Sequence, residues 1–232
     1  MVGGSVEITR SRDSTCTLEI AGFCGAPLRA SRNNGSLVLA HDKGSLLGIL
    51  DKRTRQRRAD ISLSVPRHVE LKVDSVSAKA SLTDMPATAQ LRSMSGSILV
   101  AGTEGNLNAW TSSGDMAISG IGGGRTVAQS TRGRIEIGVH RSGPGTVIDL
   151  ASKHGDVEVE FSAACDMSVS ASTLDGDLAC DIEEFSVDGG CRRGKWASGH
   201  LGSGQGMLKA FTASGRITLT EAGPSASSSE PG

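Results

Sequence analysis

Along most of the chain, apolar and polar residues alternate in short runs that restart after a glycine. Ile98 and Val100 follow Gly96 at two and four positions, as Met116 and Ile118 follow Gly114 and Ile135 and Ile137 follow Gly133. Val157/Val159 after Gly155, Leu178/Cys180 after Gly176 and Ile217/Leu219 after Gly215 repeat the phrase, and Gly194 with Trp196 and Ser198 is a weaker copy. The residues between them are mostly small or charged, such as Ser97, Asp115, Arg134 and Asp177. A period of two with one apolar face predicts half-buried strands, and the runs are too short for helices.

A second strand precedes each glycine, as in Ala89/Leu91, Leu107/Ala109, Thr126/Ala128, Ile148/Leu150, Val169/Ala171 and Leu208/Ala210. The slot three before the glycine holds Ser93, Thr111, Ser130, Ser152, Thr173, Cys191 or Thr212. The unit is therefore strand, glycine turn, strand, return loop. Glycine is expected at the turn because it tolerates positive φ. The hydroxyl column is expected to satisfy itself by hydrogen bonding along the stack.

The glycines at 96, 114, 133, 155 and 176 lie 18, 19, 22 and 21 residues apart, and Ala78 takes the same slot 18 residues before Gly96. A repeat of this length predicts stacked units that pair strand upon strand about 4.8 Å apart and share one narrow core. The expected fold class is all-β, a parallel β-solenoid (β-helix) of coils 18–22 residues long with a β-rich N-terminal cap. Parallel crossovers make a right-handed winding the expectation. An antiparallel sandwich is the rival, since its strands also alternate and recur. The shared phase of glycine, hydroxyl and aliphatic positions favours the solenoid.

Residues 1–59 are expected to form the cap or early coils, 60–221 the solenoid and 222–232 a disordered tail rich in Ser, Gly and Pro. Gly35-Ser-Leu-Val-Leu39 copies the ladder phrase and reads as an early coil. Asp51-Lys-Arg-Thr-Arg-Gln-Arg-Arg58 reads as a solvated basic connector, because no aromatic is interleaved for base stacking.

Ala59-Asp-Ile-Ser-Leu-Ser-Val-Pro66, then Val69-Glu-Leu-Lys-Val73, then the Ser-Gly-Asp-Ile-type repeats, resemble a bacterial adhesin-like family built of repeated β strands, itself a domain of unknown function. The resemblance covers about residues 60–220. It implies the fold and names no reaction. Members of that family are often exported or envelope-linked.

Composition adds three constraints. Glycine numbers 31 of 232 residues and aromatics make up 3%, which suits many turns around a bore too slim for rings. A net charge of −1 supplies no field to gather a polyanion, so nucleic-acid binding is disfavoured. No apolar run is long enough to span a bilayer, and the N-terminus lacks the features of a secretion signal, so the expectation is a cytoplasmic protein. Cys16, Cys24, Cys165, Cys180 and Cys191 have no CxxC spacing and read as reduced thiols used structurally.

Stacking places equivalent positions in columns. Outward-facing Glu136, Asp156, Glu158 and Asp177 are expected to cluster on one face, with Arg132, His154 and Arg193 close by. Two carboxylates one rung apart repel, which is the physical route to a catalytic acid or base. The plainer reading is a charge ladder in which Arg134 and Lys195 pair with the aspartates. No cofactor is implied, and the five histidines lack metal-ligand spacing. No base is expected beside any hydroxyl of the Ser/Thr column, and the glycine-rich stretches 120–124 and 202–206 are expected to be plain loops.

The leading expectation is a non-catalytic binding or scaffold protein whose protein or small-molecule ligand is unknown, self-associating through the solenoid ends. The alternative is a pathway enzyme (hydrolase, lyase or cyclase) working from the carboxylates on the outer face.

Overall fold

The computed structural model describes residues 3–24, 28–33, 36–41, 58–66, 68–85, 88–189 and 194–222, all of them strand or connection with no helix. The strands β1 (Gly3–Arg10), β2 (Thr17–Cys24), β3 (Leu28–Asn33), β4 (Ser36–His41) and β5 (Arg58–Val65) precede the ladder. The ladder comprises β6 (Leu71–Ser75), β7 (Lys79–Met85), β8 (Ala89–Ser93), β9 (Ile98–Thr103) and β10 (Leu107–Thr111). It continues with β11 (Met116–Ile121), β12 (Arg125–Ser130), β13 (Ile135–Val139), β14 (Val147–Ser152) and β15 (Val157–Phe161). Last come β16 (Met167–Thr173), β17 (Leu178–Cys180), β18 (Ser186–Gly189), β19 (Lys195–Leu201), β20 (Gly206–Thr212) and β21 (Ile217–Glu221).

From β6 to β15 the chain passes alternately between a nine-stranded and a ten-stranded sheet, and every neighbouring pair within this stretch is parallel. The register sets Ile98, Met116, Ile135 and Val157 over one another, all at most 1% exposed. On the facing sheet Leu91, Ala109, Ala128, Leu150 and Ala210 form the matching column and are equally buried. The two columns pack into one hydrophobic cluster. The inward positions read from the alternation are the core.

Order along the stack departs from order along the chain at two places. In the ten-stranded sheet β1 lies between β5 and β7, parallel to both. At the other end β20 lies between β14 and β16, and β21 between β15 and β17. The sheets are also mixed rather than purely parallel: β2–β5, β16–β19 and β18–β19 pair antiparallel.

Three local expectations are corrected. Gly194 opens β19, which runs antiparallel along β16, so it is no rung of the ladder; its phase is reversed, with Ala197 buried and Trp196 44% exposed. Ser36–His41 pairs antiparallel with β3 in a separate two-stranded sheet and is no early coil. Finally, the ladder glycines 96, 114, 133, 155, 176 and 215 do not have positive φ. They are required because a Cβ on any of them would overlap the carbonyl oxygen of the residue in the layer below. Close approach of backbones, not a left-handed turn, fixes glycine there. Positive φ is found instead near the ends of β9 and β11, at Gly102 and Gly120, and in the return loop at Gly124.

Of the residues read as a disordered tail, 222–232, only Ala222 is described, its N–H donating to Phe161 O (2.7 Å); the rest, most of the basic run, 51–57, and Gly35, Cys191 and Arg193 lie outside the described residues.

Candidate functional site

The turns build a ridge along the stack. Gly96 N–H donates to Ser93 Oγ (2.8 Å), Gly114 to Thr111 (2.9 Å), Gly155 to Ser152 (2.9 Å), Gly176 to Thr173 (3.0 Å) and Gly215 to Thr212 (3.0 Å). These five hydroxyls each close their own turn, whereas Ser130 Oγ is buried without a partner among the described residues. Only Thr212 and Thr173 also bond to the adjacent layer, donating to Gly155 O (3.2 Å) and Gly215 O (3.4 Å).

One residue past each glycine the outward column reads Ser97, Asp115, Arg134, Asp156, Arg216, Asp177 in stack order. The intercalation of β20–β21 is what puts Arg216 between the two aspartates. Asp115 Oδ1 accepts from Arg134 N–H (2.9 Å) and Asp156 Oδ1 from Arg216 N–H (2.8 Å), so the aspartates cap the backbone of the next layer. Lys195 Nζ donates to Asp177 Oδ1 at 2.7 Å and the Arg216 guanidinium lies 3.7 Å from Asp177 Oδ2. The Lys195 hydrogen bond, reinforced by its charge and that of Arg216, holds the Asp177 carboxyl below the usual carboxylate range. The Arg134 guanidinium bonds to the Glu158 carboxylate, which raises its already high pKa.

The four candidate carboxylates are thus brought together only in part. Glu136 and Glu158 are register partners on β13 and β15, and Asp156 is on the same face two residues before Glu158. Asp177 stands two layers from Asp156, with Arg216 in the layer between. Cations sit at Arg134 and Arg216, so the mutual repulsion expected of stacked carboxylates is compensated layer by layer.

Glu136 and Glu158 line a broad trough of about 690 Å³ on the outer face of the ten-stranded sheet. Its floor carries small side chains at Ala101, Ala117, Ser119 and Gly138, with Leu99 the larger neighbour beside Ala117. Lys79 stands at one end and Glu160 and His140 at the other. The volume falls within the range of ligand clefts, about 300–1,000 Å³. A floor of methyls and hydroxyls with charges at its ends can seat a ligand by shape and hydrogen bonding.

One pair escaped the sequence reading. His154 Nδ1 lies 2.8 Å from Ser214 Oγ, both exposed on the turn ridge. The two residues are 60 apart in the chain and meet only because β20–β21 is intercalated. Ser214 Oγ is also 3.4 Å from Lys153 O, an acceptor that competes for its proton.

Among the described residues no group of three or more His, Cys, Asp or Glu is placed to hold a metal ion, and no helix is long and apolar enough to cross a membrane. Cys165 is buried and donates to Val139 O (3.0 Å), while burial pushes the Cys180 thiol pKa up. The glycine-rich stretches lie at return loops: Gly122, Gly123 and Gly124 join β11 to β12, with Gly120 at the end of β11, and Gly202 and Gly204 join β19 to β20.

Comparison with known proteins gives three results. No curated protein matches the chain. The crystal structure of a "putative cell adhesion protein" from Clostridium sporogenes aligns over 95% of this chain and 89% of that one, at 10% identity and a TM-score of 0.38, too distant to carry an argument. The Toastrack DUF4097 family matches residues 26–220. That span contains the repeated-strand stretch on which the adhesin-like resemblance rested, and it covers most of the sequence. The chain is therefore a member of the Toastrack DUF4097 family, a domain of unknown function.

Proposed function

We propose that the two sheets are the walls of one β-solenoid and that the protein is a non-catalytic binding or scaffold module. The ligand seat is the trough on the outer face of the ten-stranded sheet. The observation that carries this reading is the run of small residues at Ala101, Ala117, Ser119 and Gly138 across successive strands, which hollows a face that would otherwise be filled. Rigid stacking supports it, because a seat assembled from parallel strands holds its shape without a ligand. Filling the floor by Ala117→Phe and Gly138→Leu tests it. Binding of whatever partner or small molecule the wild-type protein retains, read by native mass spectrometry, falls at least tenfold while the melting temperature stays within a few degrees. Retained binding with a filled floor rejects the trough as the seat.

A second reading has one observation in its favour, the register pairing of Glu136 with Glu158 inside the trough. It makes the protein a hydrolase, lyase or cyclase that uses these carboxylates, with Asp156 and Asp177 further along the ridge. Glu136→Ala with Glu158→Ala separates the two readings, since a binding module tolerates the loss of a carboxylate by degrees and an acid–base pair does not.

A further inference from the structure

The last coil of the chain occupies a slot that the preceding coil would fill if layers followed sequence order. Leu201 and Gly206 are both in register with Met167, on opposite sides of β16, so residues 202–205 arch over that strand. The arch spans two strand spacings, about 9.6 Å. Gly202 (φ 61°) and Gly204 (φ 74°) give it its shape, and Asp166 beneath it accepts from Ser203 Oγ (2.8 Å) and Gln205 N–H (3.1 Å). Among the described residues this arch is the only covalent link between β20–β21 and the rest of the fold.

The slot is specific for what fills it. On one wall Asp156 takes the Arg216 N–H and Gly155 O takes the Thr212 hydroxyl; on the other Thr173 donates to Gly215 O and Asp177 faces the Arg216 guanidinium. Were the coil withdrawn and the walls brought together, Asp177 would lie directly over Asp156, with no Arg216 guanidinium between them. Like charges in facing positions oppose that closure. An emptied slot therefore stays matched to one occupant, a coil of this same sequence, and a second copy of the chain carries one.

We propose that β20–β21 is an exchangeable coil through which two copies of this chain join, each filling the other's slot. Reciprocal exchange preserves every contact on the two walls of the slot and gives up only those of the arch to Asp166, so it is governed by concentration and by the arch.

Two cysteine pairs in the full chain test this. Ala151 and Phe211 are register partners across β14 and β20. Ala151→Cys with Phe211→Cys, unfolded and refolded over a range of protein concentrations, gives interchain disulfides whose share rises at least fivefold from the dilute to the concentrated sample; the parent chain, run alongside, accounts for its native cysteines. A link that forms only within one chain at every concentration overturns the proposal. Ala151→Cys with Ser172→Cys forms no link if the slot stays open, and an efficient link there shows that it closes and overturns it too. Deleting Ser203, Gly204 and Gln205 leaves one residue to span the arch, a reach of about 7 Å at full extension. That variant is expected at the mass of a dimer or a larger closed ring in native mass spectrometry, and a folded monomer rejects the exchange; if it does not fold, the cysteine pairs decide.

Discussion

The middle of the stack and its C-terminal end are made of the same repeat and obey different rules. Between Gly96 and Gly155 each layer lies on the one before it in sequence, and the charges at Asp115, Arg134 and Asp156 alternate along the ridge without rearrangement. Beyond Gly155 the next layer in sequence carries Asp177 and the following one Arg216. Sequence order would set two aspartates together, and the observed order restores alternation. The end is also closed differently. Residues 181–185 pass from the ten-stranded to the nine-stranded sheet, Phe185 packs edge-to-face on Phe161 (6.3 Å between centroids), and the space for its ring exists because position 199 is glycine. Repetition builds the middle, and individual side chains build the end.

Four tests break or sharpen this contrast, in decreasing order of effect. Phe185→Ala removes the plug at the end; its ring is 7% exposed, and the loss is expected to be about 3–5 kcal/mol in denaturant unfolding. A cost below 1 kcal/mol would mean that the end is not held by this ring. In the middle, Gly133→Ala forces a methyl into the Gly114 carbonyl and is expected to destabilise by about 3 kcal/mol, whereas Gly143→Ala, with open space around it, is expected to be nearly neutral. Equal effects at the two glycines would refute the close-approach account.

Thr126 tests the quality of the repeat itself. It stands in the inward column between Leu107 and Ile148, fully buried, with no hydrogen-bond partner for its hydroxyl among the described residues. Thr126→Val is expected to stabilise the fold by about 1 kcal/mol, measured by the shift of the denaturation midpoint. Destabilisation would show that the hydroxyl has a partner in solution.

The smallest effect is on pH. Asp177, held by Lys195 and Arg216, and Asp166, held by the Gln205 N–H and Ser203 hydroxyl, both have carboxyl pKa values lowered in the folded chain. A lowered folded-state pKa contributes stability that is complete above the unfolded value, about 4, and is lost as pH falls below it. Both groups belong to the C-terminal end. Amide exchange in β19–β21 is therefore expected to rise between pH 4 and pH 3 before exchange in β9–β13 does. Uniform acid loosening would erase the contrast.

Much of this was legible from residue pattern, and the rest failed for definite reasons. The inward columns through Ile98, Met116, Ile135 and Val157 follow from alternation, because burial on one face of a strand needs only local phase. Gly194 deceived because glycine followed by an alternating run is shared by rungs and by antiparallel strands. The ladder glycines were identified and given the wrong reason, since close approach is a property of two layers and not of one turn. Of the candidate site, Glu136 and Glu158 could be placed side by side from their common offset. The trough could be found only once Ala101, Ala117, Ser119 and Gly138 were known to be neighbours.

The sequence by itself determined that this chain makes short strands with one apolar face, and which residues of the ladder point inward. It did not determine which layer lies on which, because every layer offers its neighbours the same backbone template and the same aliphatic column. That degeneracy is lifted only when distant charges, the length of one arch and the shape of one plug are brought into contact. Tertiary structure therefore decided the stacking order, and with it the alternating ridge, the His154–Ser214 contact and the slot that β20–β21 fills.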